Sequence, residues 1–311
     1  MPHTRIASVL SSLGVTVFER GWLSSNNVLI QGGGPSALVD SGYSQHAPLT
    51  LSLVQQALQG RPLDLLLNTH LHSDHCGGNA LLQASYPALL THIPPGEADA
   101  VARWDPEALT YAATGQTCPR FGFQALLAPG ERLALGAHTW EVHGAKGHDP
   151  HSIVLFQRDT RVLISADALW HNGFGVVFPE LDGVDAFDEV GETLDVIESL
   201  APAIVIPGHG GVFEDVAEAM ARARSRLAQF QASPEQHRRY ALKVLVKFKL
   251  LEWQRIGFND LLTWGRQTPY LASFMPENAT PQGEREWLHS LLADLARSGS
   301  LHFEGDEVVN L

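Results

Sequence analysis

The chain has 311 residues, 34 of them acidic and 21 basic, and a formal net charge of −13 with histidine neutral. That length can bury a large core, the 44% apolar content excludes a disordered chain, and the acidic balance opposes a phosphate-backbone ligand. The 2 cysteines exclude a disulfide framework and point to a reducing compartment, while the 15 histidines stand out in number.

Met1 to Leu13 contains Arg5 but lacks a continuous apolar core followed by a small-residue cleavage site. No apolar stretch approaches the ~20 residues needed to span a bilayer. A soluble, cytoplasmic protein without membrane contact is expected. Val15 to Glu19, Asn27 to Gln31 and Ser36 to Asp40 then read as short strands. Gly32-Gly33-Gly34-Pro35 between the last two reads as a hairpin connection. It does not fit a phosphate loop, because no Lys-Ser/Thr follows and no helix opens there.

Pro48 to Gln59 has a helical pattern closed by Gly60, with Pro62 just beyond. Leu63 to Asn68 is a mostly apolar run of the kind that forms a buried strand, and Gly78 to Ala84 suits a short helix. Ile153 to Phe156 and Arg161 to Ser165 read as two further strands. Val184 to Leu200 reads as an amphipathic helix, and Ala203 to Ile206 as one more buried strand. Beyond about Glu214 helical patterns dominate: Glu214 to Gln231, Pro234 to Trp253, Asn259 to Gln267 and Glu284 to Arg297, with a break at Ser233-Pro234. A hairpin signal at Leu301 to Phe303 and Glu307 to Val309 ends the chain. The expected division is a catalytic domain over 1–230 and a winged-helix-like domain over 231–311.

The string His70-Leu71-His72-Ser73-Asp74-His75 packs three imidazoles and a carboxylate into six residues. It begins where the apolar run stops, hence at a strand end. Strand alternation sends His70 and His72 to one side, with Asp74 and His75 just past them where the chain turns into a loop. Such a segment can serve two adjacent metals. Further donors follow other strand ends: His148 before the strand at Ile153, Asp167 after the strand 161–165, and His209 after the strand 203–206. Each sits beside Gly, Pro or Ala in a short turn-like string.

This ordered set resembles the metallo-β-lactamase superfamily, whose hallmark is His-x-His-x-Asp-His. Later motifs of that family match His148, Asp167 and His209, and its early Asp-x-Gly element matches Asp40 in Val39-Asp40-Ser41-Gly42. The resemblance covers roughly residues 15 to 215 and lies closest to the glyoxalase II branch. It implies an α+β architecture, an αββα sandwich, with two metals at one edge. It also implies that His70, His72 and His148 hold the first metal, that Asp74, His75 and His209 hold the second, and that Asp167 bridges them. Asp40 would orient a ligand loop without binding metal.

Imidazole and carboxylate donors without thiolate fit two divalent ions, zinc first, with manganese or iron as alternatives. Metals roughly 3.5–4 Å apart share a water and lower its pKa towards neutral, so the resemblance implies a bridging hydroxide that attacks an ester, thioester or lactone. Asp74 is suited to orient that nucleophile or accept its proton. After Asp167, the residues Trp170, His171, Phe174, Val176, Val177 and Phe178 read as an apolar pocket wall, with His171 a candidate hydrogen-bonding partner for a small-molecule substrate. Cys76 reads as buried beside the site without a ligand role, and His92, His138, His143 and His151 read as structural.

Two competing classes follow from the same residues. One is a phosphodiesterase or nuclease of the same superfamily. The other is nucleic-acid binding through the C-terminal domain, where Arg238, Arg239, Lys243, Lys247 and Lys249 form a basic stretch. The acidic net charge disfavours both, and Arg239, Lys243 and Lys247, which recur at four-residue spacing, mark the solvated face of an amphipathic helix. The expected use of the C-terminal domain is to cover the site or to form a homodimer contact, with Trp253, Phe258, Trp264, Tyr270 and Phe274 supplying apolar surface.

Overall fold

The computed structural model describes residues 2–276 and 280–311, with side chains from residue 5 onward. Helix α1 (Pro2–Ser12) leads into strands β1 (Val15–Phe18), β2 (Asn27–Ile30) and β3 (Ala37–Val39). These three pair antiparallel, and Gly32-Gly33-Gly34-Pro35 closes the β2–β3 hairpin. After α2 (Ala47–Leu58), strands β4 (Leu65–Leu67), β5 (Leu90–Ile93) and β6 (Ala125–Leu126) extend the sheet in parallel, giving the order β1-β2-β3-β4-β5-β6. The connections carry four short helices: α3 (Ser73–Cys76), α4 (Asn79–Ser85), α5 (Ala98–Arg103) and α6 (Tyr111–Thr114).

A second sheet has the order β11-β10-β9-β8-β7. It contains β7 (Arg132–Leu135), β8 (His138–Gly144), β9 (Ile153–Gln157), β10 (Val162–Ala166) and β11 (Ile204–Pro207), with α7 (Phe187–Leu200) before β11 and α8 (Val216–Ala232) after it. Alternation along the strands builds the layers. Val28, Ile30, Val39, Leu155, Ile164 and Ile206 meet between the two sheets around the fully buried Trp140. Leu29, Leu38 and Leu66 point outward against α2 and α4, while Val154, Phe156 and Leu163 point outward against α7 and α8. The expected αββα sandwich follows from these faces. Strands β5 to β8 and helices α5 and α6 were not legible in the residue pattern. They are two to seven residues long, and most are only partly buried, so their periodicity is weak.

The C-terminal body runs α9 (Pro234–Trp253), β12 (Arg255–Gly257), α10 (Phe258–Gln267), α11 (Pro269–Ser273), α12 (Pro281–Arg297), β13 (Leu301–Glu304) and β14 (Glu307–Asn310). The strands, in the order β12-β14-β13, form a small sheet beside these helices in a mainly helical unit. Phe258 and Tyr270 pack inside its own core with Leu242, Leu261 and Leu292. Tyr270 also reaches the first body, with its ring 5.9 Å from that of Phe178. The division we propose, 1–230 and 231–311, follows the two cores: Phe230 belongs to the first and Leu242 to the second.

The two bodies are joined by specific contacts. Phe248 of α9 packs edge-on against Tyr43, with ring centroids 5.1 Å apart. Tyr270 Oη donates to Asp182 at 2.9 Å. His237, 1% exposed near the start of α9, accepts the Val177 backbone N–H through Nε2 at 3.1 Å. Burial, reinforced by Arg238, pushes the His237 pKa down to about 4, so this ring is neutral in the folded protein. The cations of α9 are also spent internally. Arg239 pairs with Asp294, Lys247 Nζ donates to Ser300 O and Asn310 Oδ1, and Lys249 pairs with Glu252. Lys249 is 4% exposed and lies over the Trp253 ring.

Replacing His237 by Leu leaves the buried Val177 amide unpaired and is expected to cost about 1–3 kcal/mol at neutral pH. The folded pKa lies below the ordinary value of 6.5, so the unfolded chain takes up a proton that the folded chain refuses. The wild-type advantage is expected in full above pH 6.5 and to shrink as pH falls towards 4. Urea melts of both proteins at pH 7.5 and 5.0 check this, and a stability gap that widens at pH 5.0 contradicts it.

Candidate metal centre

The seven donors singled out in the sequence meet at one edge of the sandwich, where strand ends from both sheets face each other. His70 and His72 follow β4, His148 precedes β9, Asp167 follows β10 and His209 follows β11. Asp74 and His75 lie on the single-turn helix α3, which corrects the expectation of a loop. The turn is closed by backbone bonds from His75 N and Cys76 N to His72 O.

Two overlapping sets result. His70 Nε2, His72 Nδ1 and His148 Nε2 converge, with His148 Nε2 2.8 Å from His72 Nδ1 and 3.3 Å from His70 Nε2. Asp74, His75 and His209 form the second set, with His209 Nε2 3.1 Å from Asp74 Oδ2. Asp167 reaches both: Oδ1 lies 3.3 Å from His75 Nε2, and Oδ2 lies 3.5 Å from His148 Nε2 and 3.8 Å from His209 Nε2.

The outer hydrogen bonds determine which ring nitrogens face inward. His148 Nδ1 donates to Val176 O at 2.5 Å, so Nε2 carries the free lone pair. Thr69 Oγ1 donates to Asp40 Oδ2 and can accept from His70 Nδ1 at 3.1 Å, which frees His70 Nε2 in the same way. Two imidazole lone pairs therefore face each other across 3.3 Å, where no proton can bond them. A shared cation resolves that repulsion, and the donor set fits one. His75 makes the same point. Its Nδ1 donates to Asp40 Oδ2 at 2.8 Å, and its buried Nε2 has no hydrogen-bond partner while facing carboxylate oxygens.

Electrostatics agrees with this geometry. Burial, with His75, His72 and His148 nearby, holds the His70 pKa well below its usual range, and burial with His148 pushes His72 to about 4. Both rings stay neutral, as ligands need to be. Burial disfavours a charged His75, but Asp167, Asp40 and Asp74 overcome it and hold its pKa well above normal. Burial likewise opposes ionisation of Asp74 and Asp167, and the surrounding imidazoles still keep both pKa values low. Three carboxylates in a buried pocket call for positive charge, and divalent ions can supply it.

The backbone is shaped for the same purpose. Asp40 (φ 57°) and Ala166 (φ 45°) adopt left-handed conformations, and Ala166 sits at a break in the β10–β11 register just before Asp167. Such strain persists only where the surroundings enforce it, and here Gly208 N bonds Ala166 O at 2.7 Å. A Cβ at Gly208 would collide with Asp167 Oδ1, and one at Gly175 with His148 Nδ1.

Sequence reasoning missed the segment that clamps the ligand loops. Asn26 Nδ2 donates to Pro207 O and Gly210 O, and Ser25 N donates to Asp74 O. It also missed Trp22, which stacks on His209 with ring centroids 5.3 Å apart and planes 5° apart. The only signal for either was a polar, strand-free run containing a tryptophan.

The cavity beside the metal centre has one wall of Trp22, Trp170, Val176 and Phe178 and another of Thr110, Thr114 and Gln116, and Val244, Leu245 and Phe248 of α9 cover it. Trp170 and Phe178 thus stand where the sequence placed them, and Trp170 Nε1 donates to Asp167 Oδ1 at 3.2 Å. Phe174 and His171 do not. Phe174 is 1% exposed in the core under α8, because its ring packs against Phe230. His171 turns to the surface and pairs with Asp215 at 2.7 Å. Cys76 is fully buried, with Sγ 3.1 Å from Tyr111 Oη and 3.7 Å from Cys118 Sγ, and belongs to neither donor set.

Known proteins share both the sequence pattern and the fold. The human acyl-coenzyme A thioesterase MBLAC2 is 28% identical over 65% of this chain and 81% of its own length. A hydroxyacylglutathione hydrolase of Anaeromyxobacter dehalogenans is 29% identical over 70% of this chain and 76% of its own. The crystal structure of a metallo-beta-lactamase family protein from Thermus thermophilus superposes over 96% of this chain and 99% of its own, with a TM-score of 0.57 and 21% identity. The sequence profile of the Metallo-beta-lactamase superfamily matches residues 20–209. With its αββα sandwich and its two histidine–aspartate donor sets, the chain belongs to the metallo-beta-lactamase superfamily.

Proposed function

We propose that the protein is a binuclear metal-dependent hydrolase that cleaves a carboxylic ester, thioester or lactone. The observation that carries this reading is the Asp167 carboxylate, whose two oxygens reach two separate sets of inward-facing imidazoles. His70, His72 and His148 would hold one ion, Asp74, His75 and His209 the other, and Asp167 both. Nitrogen and oxygen donors without thiolate suit zinc, with manganese or iron as alternatives. Bound there, such ions supply Lewis acidity towards a carbonyl oxygen and lower the pKa of a coordinated water.

The residues of the chain do the rest. Asp74 borders the cavity, is kept ionised by His75 and His209 against its burial, and can take a proton from the nucleophile. Asp40 holds His75 in place through Nδ1 and fixes the approach of the ligand loop through Thr69 N at 2.9 Å. Phe178 lies against His72 and His148, and the apolar lid from α9 limits the entry of water. Two relatives are named for removing acyl groups, which supports an acyl substrate. The apolar lid and the engaged cations of α9 weigh against a nucleic-acid backbone.

Elemental analysis of the purified protein is expected to find two divalent ions per chain, and a panel of ester, thioester, lactone and phosphodiester substrates to show turnover of the first three classes only. Turnover of the phosphodiester alone overturns the reading. Asp74→Asn is expected to lower kcat/KM about 10²–10⁴-fold. Asp40→Ala is expected to weaken metal affinity about 10–100-fold, read by competition with a chelator. Unchanged affinity would show that Asp40 is only a turn residue.

A further inference from the structure

The metal cavity does not end at Trp22 and Trp170. A groove of about 470 Å³ continues outward from it and shares Trp22, Trp170, Val244 and Phe248 with it. Its far part is bounded by Leu251 of α9 and by Leu295, Gly299 and Ser300 at the end of α12. Its volume lies within the range of small-molecule sites.

Several observations define what this groove can hold. Trp22 is 55% exposed, one of the most exposed large apolar side chains among the described residues, yet its ring is held by stacking on His209 and by an edge contact with Trp170 at 5.3 Å. With Trp170, Val244 and Phe248 it forms a contiguous apolar wall that runs from the metal cavity into the groove. Most of the lining is apolar: Leu251, Leu295, Val244, Phe248, Trp22 and Trp170. Lys247 Nζ is bound to Ser300 O and Asn310 Oδ1 and offers only its aliphatic stem, while Lys243 and Tyr240 border the groove with their polar ends.

We propose that this groove is an acyl-chain subsite, which takes a medium-length aliphatic acyl group whose carbonyl carbon lies at the metal cavity. The proposal rests on the hydrolase reading above and narrows it to acyl substrates with an extended apolar chain. Val244 and Phe248 mark the passage, since they line both compartments. The C-terminal body therefore shapes selectivity by supplying one wall of the subsite.

Two measurements test this. In the first, kcat/KM is compared for acetyl and octanoyl esters of the same leaving group. Each buried methylene is worth about threefold to fourfold, so the octanoyl ester is expected to be favoured at least about 30-fold. Leu251→Glu places a carboxylate in the groove and is expected to bring that ratio towards one. Trp22→Ala, which removes the wall shared by the two compartments, is expected to lower the ratio as well. In the second, tryptophan fluorescence follows binding of decanoate and acetate to the purified protein, which needs no turnover. Saturable binding is expected for decanoate and not for acetate, with at least about tenfold weaker decanoate binding in Leu251→Glu. A flat chain-length profile, or decanoate binding that Leu251→Glu leaves unchanged, overturns the subsite. If neither ester is hydrolysed, the hydrolase reading falls, and the decanoate titration still decides whether the groove binds acyl chains.

Discussion

One carboxylate organises the metal centre from behind. Asp40, at the end of β3, accepts hydrogen bonds from Thr69 N, Thr69 Oγ1 and His75 Nδ1. Its left-handed backbone aims the side chain under the ligand loop. Through Thr69 it sets the His70 tautomer, and through Nδ1 it turns His75 Nε2 towards Asp167 and Asp74. Removing it would leave two donors free to rotate and would deprive the buried His75 of one of its three balancing carboxylates. The strain at Asp40 and Ala166 is tolerated because the flanking strands are pinned in two sheets that share a buried core.

The sandwich itself explains why such a site forms at a sheet edge. β4, β10 and β11 are buried on both faces and are almost wholly apolar along their lengths. Polar groups appear only where these strands stop, and the stops coincide because both sheets end at one rim. Six donors that follow these strands then face His148 from the start of β9, with close approaches at Gly175 and Gly208 leaving room for the rings and for Asp167.

The C-terminal body changes the character of that rim. Without α9 the metal centre would open to solvent between Trp22 and Phe178. With Val244, Leu245 and Phe248 in place it becomes a covered cavity with an apolar exit. Among its cations, which in the bare sequence look like a basic face, Arg239 pairs with Asp294 and Lys247 binds Ser300 O and Asn310 Oδ1. A charge pattern along one helix cannot reveal partners contributed from a distant part of the chain.

All seven donors were legible from the sequence alone, because histidine and aspartate at strand ends beside turn residues form local strings that need no tertiary knowledge. Alternation and buried runs, being local, showed several of the strands, while the sandwich itself came from the family resemblance those donor strings carry. The pocket was legible only in part. Trp170 and Phe178 face the cavity and Phe174 and His171 do not, although all four share one short stretch of chain. Their directions depend on the course of the Gly-punctuated backbone and on partners such as Phe230 and Asp215, which are remote in sequence. Asp40, Trp22, Asn26 and the α9 lid gain their roles only through contacts with distant segments. The amino-acid sequence by itself determined which chemistry the chain can carry, because donor identity is local. Tertiary structure alone decided which side chains orient, cover and extend that chemistry, because those roles depend on packing between elements far apart in the chain.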